Sequence, residues 1–124
     1  MNVVDSSGWL EYFADESNAA FFAPAIQAVS ELVVPSISLY EVFRKILQQK
    51  SEEEALRAVG LMMQGEVVDL SPAIALSAAL LSLRLKLPMA DSMMLATAQA
   101  YNATFWTQDA DFENIPGVRY VRKG

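Results

Sequence analysis

Five acidic residues stand where carboxylate chemistry is conceivable: Asp5, Glu41, Asp91, Asp109 and Asp111. Asp91 is the most informative. It lies in Leu87-Pro88-Met89-Ala90-Asp91-Ser92-Met93-Met94-Leu95-Ala96-Thr97-Ala98, which reads as a helix with Pro88 near its first position, where the missing N–H costs nothing. Met94, Leu95 and Ala98 follow Asp91 at helical spacing and share its face. The remaining faces are also apolar or small, as in a buried helix. A carboxylate in the first turn of such a helix is costly, or takes up a proton, unless the helix N-terminus, a donor or a metal compensates it.

Composition limits the chemistry further. With no Cys, disulfides, thiolate catalysis and cysteine–zinc sites are excluded, and a reducing cytoplasm is the expected setting. With no His, Ser-His-Asp triads, imidazole acid–base chemistry and the commonest transition-metal ligand are excluded as well. Any catalysis must use carboxylates, hydroxyls, Lys, Arg or a bound metal. Nine basic and 15 acidic residues give a net charge of −6, which argues against a nucleic-acid coat protein. The start, Met1 to Asp5, lacks a basic segment, so no signal peptide is expected. The apolar run Ala73 to Leu83 is too short to span a bilayer, so no membrane association is expected.

The acids need elements that bring them together. Asn2 to Val4 reads as a buried strand, followed by a loop and a helix whose apolar face is Trp9, Leu10, Tyr12 and Phe13. Ala19 to Ser30 reads as a helix with a weak point at Pro24. Leu32 to Val34 reads as a second strand. Ser36 or Ser38 is expected to cap the next helix, which carries Leu39, Val42, Phe43, Ile46 and Leu47 at helical spacing. Ser51 and Glu54 are spaced as a capping box for a helix ending near Gln64-Gly65. Glu66 to Leu70 reads as a strand, Ser71-Pro72 to about Lys86 as a helix, and the Asp91 helix runs to about Tyr101 with Asn102 as its C-cap. Ala103 to Thr107 and Val118 to Val121 read as the last strands, on either side of a polar loop, Gln108 to Asn114.

Alternating strands and helices over 124 residues predict one three-layer α/β/α domain, spanning 1–124, with a mostly parallel central sheet. In such sheets a site lies beyond the carboxyl ends of the strands. Asp5, Asp109 and Asp111 follow strands, while Glu41 and Asp91 sit near helix starts, so the topology gives the acids a reason to converge. Taken singly, each also has a structural explanation. Asp5 could serve a turn or an N-cap, and Glu41 could face Lys45 on the surface. Asp91 could complement its helix dipole, and Asp109 and Asp111 could be ordinary loop residues.

Four segments in order carry a resemblance: Val3-Val4-Asp5-Ser6-Ser7-Gly8-Trp9-Leu10, Ser38-Leu39-Tyr40-Glu41-Val42, Leu87 to Ala98, and Trp106-Thr107-Gln108-Asp109-Ala110-Asp111-Phe112. Their order and spacing resemble the PIN-domain ribonucleases, and within them the toxins of VapBC toxin–antitoxin pairs. The resemblance implies a PIN-like fold and a Mg²⁺- or Mn²⁺-dependent endoribonuclease acting on structured RNA such as transfer RNA. It also implies a homodimer, held inactive by a VapB-like antitoxin. It makes Asp5, Glu41, Asp91 and Asp109 the metal-binding and catalytic acids, with Asp111 secondary to Asp109. Thr107 becomes the hydroxyl supporting the last acid and Ser6 the small hydroxyl after the first. Clustered carboxylates and oxygen-only ligands suit a hard divalent cation. Arg44, Lys45, Arg84 and Lys86 are candidate phosphate contacts. An acidic pocket would also accept an antitoxin Arg. Asn18 to Ile26, with Phe21 and Phe22, would be either a dimer or antitoxin surface or part of the core. Two departures stand out: the acidic net charge, which disfavours RNA, and the Asp109/Asp111 pair. A receiver-type phosphoacceptor domain and a partner-binding PIN-like scaffold without activity are the other readings. Ser7, where a haloacid dehalogenase phosphatase needs a second Asp, argues against that class.

Overall fold

The computed structural model describes all 124 residues, Met1–Gly124. Five strands and six α-helices alternate as β1 (Asn2–Val4), α1 (Ser6–Phe13), α2 (Ala19–Gln27), β2 (Val33–Pro35), α3 (Ser36–Gln49), α4 (Glu52–Met62), β3 (Glu66–Val68), α5 (Pro72–Leu85), α6 (Met89–Ala100), β4 (Thr104–Thr107) and β5 (Val118–Tyr120). Every strand pair is parallel. Val3 stands opposite Phe105, Phe105 opposite Val118, and Val34 opposite Val67. The sheets β1-β4-β5 and β2-β3 meet at a parallel bridge between Asn2 and Leu32, giving the order β3-β2-β1-β4-β5.

Strand alternation builds two cores, one on each face, because successive side chains point to opposite sides. Val3, Val33, Val68 and Phe105 pack with Ile74 and Ala78 of α5 and with Met94, Leu95 and Ala98 of α6. Their neighbours Val4, Val34 and Trp106 point the other way and pack with Trp9, Phe22, Ile26, Val42 and Met62 from the first four helices. The architecture is therefore α/β with a parallel central sheet flanked by helices, as expected. No single helix is long and apolar enough to cross a membrane.

Several local expectations need correction. Neither Ser36 nor Ser38 caps α3. Pro35 holds the N-cap position without a side-chain hydrogen bond, Ser36 is already helical, and the Ser38 hydroxyl is buried without a partner. The helix through Pro24 is not broken there. It runs to Gln27, and the buried Phe22, Ala25 and Ile26 offset the lost N–H. It ends before Ser30, in a short 3₁₀ turn at Val29–Glu31. Asn102 lies just past the C-cap, Tyr101, in the left-handed region at φ 51°. Of the Asn18–Ile26 segment, Ala19, Phe22, Ala25 and Ile26 are buried in this chain and Phe21 packs on Trp106, so most of it is core rather than a free docking face.

Gly8 brings α1 and α2 together. A Cβ there would lie 2.6 Å from a Phe22 ring carbon and 2.8 Å from Val4. Only hydrogen fits where these two elements cross.

Candidate active site

The strand order reverses between β1 and β4, where the chain switches from building the sheet one way to building it the other. In parallel α/β sheets a crevice opens outside the carboxyl ends at that point. Asp5 follows β1 directly and Asp109 follows β4 by two residues. α3 starts where β2 ends, which brings Glu41 to the same edge in its second turn. α6 leads into β4 and so begins at that edge, with Asp91 in its first turn. One cavity of about 350 Å³ is lined by Asp5, Glu41, Asp91 and Asp109, together with Tyr40, Arg44 and Lys45. Asp111 is exposed and does not line it.

Asp5 occupies the N-cap position of α1, but its carboxylate does not cap the helix. It instead accepts hydrogen bonds at Oδ2 from Thr107 Oγ1 at 2.8 Å and Ser7 Oγ at 3.1 Å. Thr107 also accepts from the Asp109 backbone N–H at 3.0 Å, so one hydroxyl ties the first acid to the last. Glu41 makes no ion pair with Lys45. It accepts from Ser6 Oγ at 2.8 Å, across 35 residues of sequence. Asp109 Oδ1 accepts from the Asp111 N–H at 2.9 Å, which makes Asp109 a turn residue as well as a cavity residue. Asp5, Glu41 and Asp109 thus each have one oxygen held by the protein, leaving the other without a protein partner, and Asp91 has neither held.

The electrostatics follow from this crowding. Burial raises the Asp5 carboxyl above its usual range. The Thr107 and Ser7 hydrogen bonds pull it down, and the charges of Asp109 and Glu41 push it up again. Asp91 is pushed up to about 7, first by loss of water and then by the charges of Asp5, Asp109, Glu41 and Asp111. None of them is in an ion pair: the molecule's one ion pair is Arg57–Glu53 on exposed α4. A set of unpaired carboxylate oxygens on one cavity is the donor chemistry of a hard divalent cation. No three of these acids form a ready-made coordination group. Mg²⁺ does not require one, since it keeps several waters and takes one or two carboxylates from the protein. The residues therefore fit such an ion.

Sequence reasoning missed three features. Nothing in the chain announces that Ser6 reaches Glu41, since local spacing offers Glu41 Lys45 as its partner instead. Gln108 is buried; its amide takes the Asn18 side chain at 2.9 Å and donates to Glu11 at 3.3 Å, pinning the α1–α2 loop next to Asp109. A larger groove of about 580 Å³ between α1, α3 and α4 adjoins the acid cavity and shares Ser7, Leu10 and Lys45 with it.

A parallel α/β protein whose acids meet at the carboxyl edge, at the reversal of strand order, is the class this fold and site define. The order β3-β2-β1-β4-β5 differs from the receiver-type order, in which β1 lies between β2 and β3. The family model for the PIN domain matches residues 3–118, and the chain belongs to that family. Among solved structures, it resembles a toxin-antitoxin complex from Klebsiella pneumoniae (TM-score 0.79, 24% identity, 96% of each chain covered). It also resembles VapBC2 from Rickettsia felis bound to a DNA fragment from their promoter (TM-score 0.75, 16% identity, 98% of this chain and 97% of that one). A third is VapC20 from Mycobacterium tuberculosis, described as a sarcin-ricin loop cleaving toxin (TM-score 0.72, 12% identity, 91% and 92%). No curated protein sequence matches the chain significantly.

Proposed function

We propose that this PIN-domain chain is a divalent-metal-dependent endoribonuclease and the toxin of a type II toxin–antitoxin pair. The observation that carries this reading is the meeting of Asp5, Glu41, Asp91 and Asp109 on one cavity with none of them in an ion pair. Mg²⁺, or Mn²⁺ in its place, is the proposed ion. When bound, it would supply positive charge where negative charge builds on a phosphoryl group undergoing hydrolysis. Asp5, Asp91 and Asp109 would hold it, one or two of them directly through a free oxygen and the rest through its bound waters, and Glu41 would do so directly or through water. Thr107 and Ser7 hold the other oxygen of Asp5, Ser6 that of Glu41 and the Asp111 N–H that of Asp109, so these three acids are oriented before substrate arrives. Arg44 and Lys45 line the cavity without pairing to its acids and would contact RNA phosphates, offsetting the net charge of −6. Arg84 and Lys86 do not line it.

Structured RNA, with transfer RNA as the first candidate, is the proposed substrate, in the cytoplasm. The structural neighbours that are toxin–antitoxin complexes support a VapB-like antitoxin as partner. The groove beside the cavity, with Leu10, Phe13, Ile46 and Leu61 along it, suits an apolar antitoxin segment, from which an Arg would reach the acids. A homodimer is proposed through α5, whose Leu76, Leu80 and Leu83 form one stripe at 70%, 51% and 83% exposure.

The test is cleavage of transfer RNA and ribosomal RNA by the purified chain with Mg²⁺, with chelator, and as Asp5→Asn. Cleavage that needs the metal and is lost in the variant supports the reading. Activity indifferent to both chelator and substitution, or no cleavage of any RNA by folded protein, overturns it.

A further inference from the structure

Tyr40 is a large aromatic left 62% exposed at the lip of the acid cavity. It also lines a second pocket, of about 350 Å³, which shares no other residue with the acids' cavity. That pocket is apolar: Ile37 and Tyr40 come from α3, Val68 and Leu70 from the end of β3, and Met93 from α6. The two cavities are neighbours through one side chain. Met93 lies two residues from Asp91 on α6, and Tyr40 is the residue before Glu41 on α3. Five of the residues that line the pocket, Ser36, Ile37, Tyr40, Met93 and Thr97, are thus set on the same two helices that place two of the acids.

The first turn of α3 adds donors. Pro35, Ser36 and Ile37 all line the pocket, and this helix start has no side-chain cap, so no side chain of the protein satisfies its first amides. A flat, apolar occupant with acceptor atoms on its edge matches an exposed ring, an aliphatic lining and a helix start without a side-chain cap. A nucleobase has that chemistry. Proteins that hold single-stranded nucleic acid stack bases on aromatic side chains and fill apolar pockets with them.

We propose that Tyr40 and the pocket beside it form a base-binding subsite for the nucleotide next to the phosphodiester in the acid cavity. This rests on the ribonuclease reading above. Arg44 and Lys45 line the same cavity about one turn further along α3, so one helix would divide the work: its basic residues hold the backbone and Tyr40 holds one base. The base is unstacked from its neighbours to reach the pocket, which directs cleavage to loops and single-stranded junctions rather than to paired stems. Tyr40 is a positioning residue and carries no step of the hydrolysis.

The test separates binding from chemistry. A labelled single-stranded RNA is titrated against wild type, Tyr40→Phe and Tyr40→Ala in chelator, where no cleavage occurs, and the same RNA is then cleaved with Mg²⁺. Loss of one stacked base weakens binding by roughly 5- to 150-fold. Tyr40→Ala is expected to raise Kd and KM within that range with kcat little changed, and Tyr40→Phe, which keeps the ring, is expected to stay near wild type. An RNA abasic at the nucleotide beside the cut should bind wild type as weakly as the intact RNA binds Tyr40→Ala, with no further loss in the variant. Because Tyr40 is exposed, melting temperature should be unchanged in both variants. If wild type cleaves RNA but Tyr40→Ala binds and cleaves equally well, the subsite is overturned and the ribonuclease reading stands. If Tyr40→Ala instead weakens self-association in sedimentation and leaves RNA affinity alone, the pocket belongs to a second copy and the subsite is likewise overturned. If wild type neither binds nor cleaves RNA, the parent reading fails and this one with it.

Discussion

Two acidic regions of this chain do opposite things. Glu52, Glu53 and Glu54 are adjacent in sequence, open α4 and are exposed. Ser51 caps their helix by accepting from the Glu54 N–H at 3.1 Å, Glu53 pairs with Arg57 at 2.9 Å, and all three sit at the positive end of the helix dipole. Asp5, Glu41, Asp91 and Asp109 are scattered over more than a hundred residues, yet meet on one cavity with no ion pair. The densest run of charge is therefore the quiet one, because water, a helix dipole and a neighbouring Arg already answer it. The sparse set is costly because the fold removes water from part of it and supplies hydroxyl donors but no ion pair. Local density of charge says little about a site; topological convergence without compensation says much more.

The largest expected effect comes from removing one member of the costly set. Asp91→Asn should lower metal-dependent cleavage by at least about 100-fold, since loss even of a residue that only supports a metal ligand costs 10–100-fold. It should also change stability in a defined direction. The folded state holds the Asp91 proton up to about pH 7, against an ordinary value of 3.8, so between those limits the native state binds more protons than the unfolded chain. In chelator, the wild-type melting temperature should fall as pH rises through that window and level off above about 7. Asp5, raised in the same sense, adds to the slope. Asp91→Asn should flatten it and melt higher than wild type at pH 8. Mg²⁺ at ten times its Kd should stabilise wild type by about 1.4 kcal/mol, a rise of several degrees, and the variant much less. A wild-type melting curve that ignores both pH in this window and millimolar Mg²⁺ would erase the contrast between the two regions.

The next effect should be smaller and would sharpen the comparison. Thr107→Val removes the hydroxyl that donates to Asp5 and accepts from the Asp109 N–H. About 1–3 kcal/mol of stability should go, because a buried carboxylate loses its shortest donor. Cleavage should fall about 10–100-fold, as for other residues that orient a metal ligand. The Thr107 bond lowers the Asp5 carboxyl, so without it the acid limb of the pH–rate profile should move up, as measured by cleavage across pH 5–8.

What the sequence made legible divides along the same line. Short continuous apolar runs such as Val3-Val4 and Val33-Val34, and the Asp91 helix with its apolar faces, are local signals, and the parallel sheet followed from them. The convergence of acids on one edge also followed, because strand–helix alternation dictates which ends lie together. Long-range partners were illegible. Ser6 reaching Glu41 and Gln108 joining Asn18 to Glu11 depend on how α1 lies against α3, α2 and β4, and its approach to α2 in turn depends on Gly8 admitting Phe22. Capping was misjudged where it depends on tertiary placement: Ser36 looks like an N-cap by type, but the turn out of β2 makes Pro35 the cap and Ser36 the first helical residue. Phe22 shows the same limit, since an apolar face reads alike whether this chain or a partner covers it.

The smallest expected effect lies in the quiet region. Glu53→Gln removes one partner of an ion pair whose side chains are 83% and 70% exposed, so solvent already screens most of the attraction. The loss should be about 0.3–0.5 kcal/mol at low salt, as for other i,i+4 pairs, and should vanish by 0.5 M NaCl, where the screening length falls below the ordinary reach of a surface charge. Because Glu53 lines neither the acid cavity nor the adjoining groove, cleavage per folded molecule should equal wild type. The measurement is a urea melt at two salt concentrations alongside the RNA cleavage rate. A rate that dropped with Glu53 as it does with Asp91 would mean that acidity alone, and not convergence on the cavity, carries the activity.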